Sequence, residues 1–597
     1  MELNRRAFLQ LASASTVIAG AMPSRFFAAV ATDEPDFAVR GLEFSGTGIW
    51  QWKTIDRALD LMERLDFNTL LVHQNDLPDF LVWPRAYFPD DFMYARNPVR
   101  TVLTCNGRNH IREVVRRARH RNIQVYLEAK EIGYPDGLIE LHPELMEIKG
   151  VVCPTHPFWW PFERERYAEV LKEIPDLAGV MFSCGTRESK VSLAAHNCTC
   201  ARCRSYDASE WYANLIRAVH APLKAAGKKL VVRDFAYRRT DQDLVVNACA
   251  KVSPEIVVSL KNTPHDFYPV FPDNPRIGNA GGNPQWAEFD AMGRFFGLGI
   301  FPTSVIEHMQ GRLHRCKEKG VTGVWFRADI EFVSDSSVFN SPNIVNLFGA
   351  SLLSRSVGQD LDAAYRAWLA YGLSDPLQTE SEQGEPVPMP PQAIARFRDF
   401  MRASWAVMEK TVYVRGLVFT DGTGQFPDSV DRAFDNMLVL HGRDDWEPGA
   451  SRRIDPTEEN LRTIFAEKEQ AESEVERLPN ILQLDQTPMP AEMRASLQAV
   501  LELYQHYVRG FRHCTVACFT VRKAETDGRA ADINAVERAL DRLIAYREDS
   551  ARLLNNRRVP YFVQRLFALE PLDRLAIDIE RKLAEFRVPH GAPAART

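Results

Sequence analysis

From about Gly41 the chain alternates short apolar runs with amphipathic stretches, a pattern that repeats eight times. The runs at 41–44, 69–72, 123–127, 178–182, 229–232, 256–260, 296–301 and 322–326 are too short for helices and continuously apolar, which predicts strands buried on both faces. Between them the apolar residues move to helical spacing. Ile55, Leu59, Met62 and Leu65 share one face, and similar patterns occupy 112–120, 163–174, 211–225 and 344–353. Eight strand–helix units in succession predict an α/β fold that closes as a parallel (β/α)8 TIM barrel. An open doubly wound sheet would require a glycine-rich phosphate turn after its first strand, and Ser45-Gly46-Thr47-Gly48 does not supply one.

The pattern changes after the barrel. Residues 381–391 (SEQGEPVPMPP) read as a Pro- and Glu-rich linker, so the predicted divisions are 32–375 for the barrel, 376–392 for the linker and 393–597 for a helical domain. Leu497, Val500, Leu501, Tyr504, Val508 and Phe511 form one apolar stripe, while 461–478 and 533–554 read as charged amphipathic helices. Such a bundle packs either on the barrel or on a second copy of the chain, so a homodimer through these helices is one expectation. The tail from Pro589 is predicted to be disordered.

The first residues lie outside both patterns. Arg5-Arg6 followed by Phe8-Leu9, a weakly apolar run to Met22 and the small residues Ala29-Val30-Ala31 read as a twin-arginine signal over 1–31. The expected destination is the periplasm or the exterior, reached as a folded protein. The apolar run is too short to span a bilayer, and no other segment approaches a span. A formal net charge of −6 disfavours nucleic acid as a partner.

The chemistry of a (β/α)8 barrel sits at the C-terminal ends of its strands. Reading past each predicted strand gives Glu43, Trp50 and Trp52; His73, Asn75 and Asp76; Glu128, Lys130 and Glu131; Arg187 and Glu188; Arg233, Asp234 and Tyr237; Lys261, Asn262, His265 and Asp266; and Trp325, Arg327, Asp329 and Glu331. Carboxylates that bind hydroxyls, aromatic faces that cover a sugar ring and cations that pair with an acidic group suit an oligo- or polysaccharide. Glycoside cleavage needs two carboxyl groups flanking the scissile bond. Asp329 and Glu331 are the candidate bases on strand eight, and Glu188, Asp234 and Asp266 the candidate acids.

Four segments then resemble the α-glucuronidases of glycoside hydrolase family 67. They are 158–190 (FWWPFERERYAEVLKEIPDLAGVMFSCGTRESK), 231–237 (VVRDFAY), 257–267 (VVSLKNTPHDF) and 287–297 (AEFDAMGRFFG), with a further echo over 347–368. The resemblance implies a barrel enzyme for an acidic sugar. It places Arg233, Lys261, Asp266 and Glu288 in or beneath the pocket; Trp50, Asp76, Glu128, Arg187 and Arg327, read from the strand ends, are further binding candidates. It also shows departures. The family's Arg-Glu-Pro turn, whose Glu the resemblance makes the acid, is replaced by a run with Phe271 in its place, and Ala328-Asp329-Ile330-Glu331 replaces the family's strand-eight sequence. These departures imply either a different catalytic pair or a non-hydrolytic carbohydrate-binding barrel. A lyase, isomerase or oxidoreductase lacks support, because no nucleotide or flavin motif is present.

Ten cysteines are scattered except for Cys198, Cys200 and Cys203. With His196 they could form a structural Cys3His zinc site, while a disulfide or plain thiols remain alternatives. No other cofactor is expected.

Overall fold

The computed structural model describes residues 26–27, 34–331, 333, 335–422 and 424–587. Eight parallel strands follow one another in chain order and close into a barrel. They are β1 (Val39–Phe44), β2 (Thr69–His73), β3 (Gln124–Lys130), β4 (Gly179–Cys184), β5 (Lys229–Asp234), β6 (Val257–Lys261), β7 (Gln285–Asp290) and β8 (Gly323–Arg327). β1 pairs with both β2 and β8, so no strand edge is left. The predicted TIM barrel is present.

Seven strands fall where the apolar runs predict them, and the seventh in order does not. The run at 296–301 forms a tight turn, Gly297–Gly299, with Leu298 at φ 52, whereas the strand is Gln285–Asp290. β7 delivers Glu288 and Asp290 to its C-terminal end, and these charges break its apolar continuity. The 296–301 run is apolar for another reason: it meets the C-terminal helices. Phe301 stacks on Tyr504 with ring centres 4.6 Å apart, and Phe296 meets Trp405 edge-on at 5.4 Å. Gly299 is required there, since its φ is +67 and a Cβ would lie 2.4 Å from the carbonyl oxygen of Met292.

The Pro-rich segment lies against the barrel as a strap. Leu373 and Val387 form an antiparallel bridge across it, Glu380 is buried, and Lys53 Nζ donates to Ser381 O at 2.8 Å. Beyond it run the helices Ile394–Val412, Glu458–Val475, Ala491–Asp527, Ala530–Asn556 and Leu569–Arg587. The stripe from Leu497 to Phe511 is buried as its spacing predicts. One continuous apolar core runs through barrel and helices alike. No helix among the described residues is long and apolar enough to cross a membrane. The expected signal and tail lie outside the described residues, except for Phe26 and Phe27. The Phe26 ring packs on Phe348, with the Arg64 guanidinium 4.3 Å from its centre.

Candidate active site

Strand register builds the floor of the barrel mouth. Glu43 lies level with Arg327, His73 with Glu128, Lys130 with Ser183, Ser183 with Arg233 and Lys261 with Glu288. Polar side chains at the C-terminal ends therefore meet in the lumen. The Arg233 guanidinium, fully buried, contacts Glu43 Oε1 at 3.1 Å and Glu288 Oε2 at 2.9 Å, and also donates to Glu128. Arg327 reaches Glu43 Oε2 at 3.3 Å, and His73 Nδ1 lies 2.9 Å from Glu43 Oε1. Burial raises the Glu43 carboxyl, but Arg233 and Arg327 outweigh it and hold Glu43 well below the ordinary range. Burial prevails at Glu288, which Arg233 only partly offsets, leaving it at about 6. Buried charges survive only when paired, and here three glutamates share two arginines. His73 Nε2, Glu128 Oε2 and Arg233 Nη2 stay buried without a hydrogen-bond partner among the described residues. A polar ligand could satisfy them.

Above this floor the rim is more open. Glu331 is 33% exposed and pairs with Arg294, while Arg327 Nη1 lies 3.7 Å from it. Burial raises its carboxyl, yet Arg327 and Arg294 prevail and bring it down to about 2. Glu188, 40% exposed, pairs with the buried Lys130. Burial pushes the Lys130 ammonium down to about 7, against the attraction of Glu331. Lys130 thus lies within the field of both rim carboxylates. Near the end of β6, Lys261 and His265 each lie 3.9 Å from Asp266. The helical region completes this side: His441 Nδ1 is 2.7 Å from His265 Nε2, and its Nε2 faces the Tyr268 hydroxyl at 3.3 Å. A cleft of about 440 Å³ adjoins the rim, lined by Arg187, Tyr237, Arg238, Asp435, Asp444 and Asp445.

The remaining predicted residues are placed differently. Asp329 is buried, and its carboxylate accepts the amides of Ser45 at 2.6 Å and Gly46 at 2.7 Å, which fastens the loop after β1 to β8. Burial, only partly opposed by these amides, raises it to about 7. Asp234 accepts from the Ala236 amide and from Gln242 Nε2 at 2.6 Å, on the helix Arg239–Val252, so it holds the loop after β5. Trp50 packs near Phe80 and His110 and donates to Gln74, and Trp52 lies under Arg117 on the outer helices. Asp76 is half-buried and accepts from Gln74 Nε2 at 3.3 Å, while Arg187 lies over the Tyr237 ring. Phe271 is buried beside Tyr268.

Three groups of side chains bring together the donors a metal would need. In Glu43–His73–Glu128 the carboxylates already face Arg233 and Arg327, whose charges oppose a second cation. In His265–Asp266–His441 the two rings share a hydrogen bond. In the third group Cys153 joins Cys198, Cys200 and Cys203, and the predicted partner His196 is not among them. The His196 ring faces Tyr206 instead. Cys153, His441 and Arg294 escape sequence reading because each reaches its partners from a distant segment.

No protein-family model and no curated protein sequence matches the chain. Among solved structures it is similar to a GH138 enzyme targeting pectin rhamnogalacturonan II, at TM-score 0.62 and 12% identity over 93% of this chain and 84% of that one. It also aligns with a GH115 4-O-methyl-α-glucuronidase with specificity for decorated arabinogalactans, at TM-score 0.45 and 13% identity over 91% of this chain and 62% of that one. An O-GlcNAc hydrolase of Thermobaculum terrenum aligns at TM-score 0.40 and 10% identity, over 92% and 94% of the two chains. At such identities the likeness to the GH138 enzyme is one of fold, a (β/α)8 barrel followed by helices.

Proposed function

We propose that this protein is an exported glycoside hydrolase acting on an acidic, uronate-bearing glycan, with Glu331 and Glu188 as its carboxyl pair. The observation that carries the reading is the rim geometry: two partly open carboxylates, from the loops after β8 and β4, share the field of one buried lysine. Glu331, kept ionised by Arg294 and Arg327, suits the base that takes a proton from the attacking water. Glu188, in contact with Lys130, is assigned as the acid whose proton passes to the leaving glycosidic oxygen as the bond to the anomeric carbon breaks. Lys261, Lys130 and Arg187 supply positive charge for a sugar carboxylate. Asp329, held by two loop amides, and Asp234, held by the Ala236 amide and the Gln242 side chain, are assigned positioning roles. The GH67-like segments and the fold shared with a pectin-directed enzyme support the acidic-sugar reading, and the twin-arginine pattern supports export to the periplasm or beyond.

The test is product release from a panel of uronate-bearing oligosaccharides. Glu331→Gln and Glu188→Gln are each expected to lower kcat by about 10²–10⁴-fold with an unchanged folded state, and Asp329→Asn to act mainly through stability. Equal rates in wild type and both Gln variants would overturn the assignment. A second reading, a non-hydrolytic sugar-binding barrel, is favoured by Phe271 standing where the family resemblance places an acid. Tight binding of the panel with no release in any variant would select it.

A further inference from the structure

Cys198, Cys200 and Cys203 are close neighbours in sequence, whereas Cys153 belongs to the preceding strand–helix connection. In space the four sulfurs all lie within 4.8 Å of one another. Cys153 Sγ is 3.6 Å from both Cys200 Sγ and Cys203 Sγ. A metal bound to four thiolates at about 2.3 Å in a tetrahedron sets its sulfurs about 3.8 Å apart. A disulfide would instead bring two of them to about 2.05 Å. All four are free cysteines, and they form a cluster of their own, separate from the main apolar core and packed against Ile148 and Val151. From these distances we infer that the four cysteines form a structural tetrathiolate site for one zinc ion.

The surroundings are built for such a site. The Cys203 amide donates to Cys200 Sγ at 3.4 Å, and the Thr155 hydroxyl lies 3.2 Å from Cys203 Sγ and 3.3 Å from Cys153 Sγ. Donors of this kind stabilise thiolates and orient them. Two indoles fix the segment that carries Cys153: Trp159 Nε1 donates to Cys153 O and Trp211 Nε1 to Pro154 O, both at 2.8 Å. Each thiol gives up its proton on binding, and the four closed ligands leave no open position for substrate, so the role is structural.

The position explains the need. β3 ends at Lys130 and its helix begins at Trp159, and β4 ends at Cys184 while its long helix begins at Ala208. Both connections are long for a barrel and carry little regular structure to hold them. Zinc would tie the two together, and the second of them carries Arg187 and Glu188 on the rim. The ion thus fixes a wall of the candidate active site without touching substrate.

Metal analysis of the full-length protein, purified without added metal, tests this. One zinc per chain is expected, and growth with cobalt should give the visible ligand-field bands of a tetrahedral cobalt thiolate. Cys153→Ser should lower bound zinc at least tenfold, whereas His196→Ala and the outlying Cys105→Ser should retain it. Less than a tenth of an equivalent of zinc in wild type, with the four thiols titratable or paired as disulfides by mass, would overturn the site. Loss of zinc in His196→Ala with retention in Cys153→Ser would overturn the ligand set. If Cys153→Ser fails to fold, the cobalt spectrum of the wild-type protein decides the matter alone.

Discussion

At the scale of single residues, the mouth is governed by which charges are sealed and which are open. Arg233 is enclosed by Glu43, Glu128 and Glu288. Arg233→Met would leave three buried carboxylates with one fewer cation, at an expected cost of about 3–5 kcal/mol, readable as a lower denaturation midpoint. Lys130 sits at the boundary between the sealed floor and the rim. Its ammonium is lowered to about 7 by burial, whereas in the unfolded chain it titrates near the ordinary lysine value of 10.5. Between these two values the unfolded state binds a proton that the folded state lacks, so this lysine makes stability rise with pH from about 7 upward. The same titration removes positive charge from the mouth. KM for a uronate substrate is therefore expected to increase as pH rises through about 7, and Lys130→Met should flatten both the stability slope and the KM profile. An unchanged slope in the variant would show that another group titrates. Lys130, Glu188 and Glu331 were legible in sequence as strand-end residues. Their division from Asp329 and Asp234 was not, because it depends on backbone amides that approach those two carboxylates from loops.

At the scale of elements, apolar continuity located strands wherever the chain buries both faces of a strand away from the mouth. It failed at β7, where Glu288 and Asp290 serve the lumen. The decoy at 296–301 has its own requirement, a glycine turn pressed on Met292. Gly299→Ala, at φ +67 and with a 2.4 Å approach to a backbone oxygen, is expected to cost about 1–3 kcal/mol. Gly358→Ala, where an added Cβ meets nothing within 4 Å, should stay within about 0.5 kcal/mol. Paired thermal melts distinguish the two. The Pro-rich strap has a similar lesson: its composition suggests a free linker, but the buried Glu380 and the Leu373–Val387 bridge attach it to the barrel.

At the scale of the whole molecule, barrel and helices share one core and one rim. Phe301 stacks on Tyr504, and His265 of the barrel is hydrogen-bonded to His441 of the helical region. The full chain is expected to melt in a single calorimetric transition, and a fragment ending at residue 390 to fail to accumulate as a folded protein, since it would expose Phe301 and its neighbours. Two separated transitions, or a stable barrel fragment, would show the halves to be independent. Periodicity by itself determined the barrel, its closure in chain order and the buried stripe from Leu497 to Phe511, because each follows from local alternation of apolar and polar positions. Only the tertiary structure decided which carboxylates face the opening, that His441 closes the rim and that Cys153 rather than His196 joins the thiols. The physical reason is distance along the chain: burial, ion pairing and sulfur geometry are set by segments that meet only once the barrel has closed.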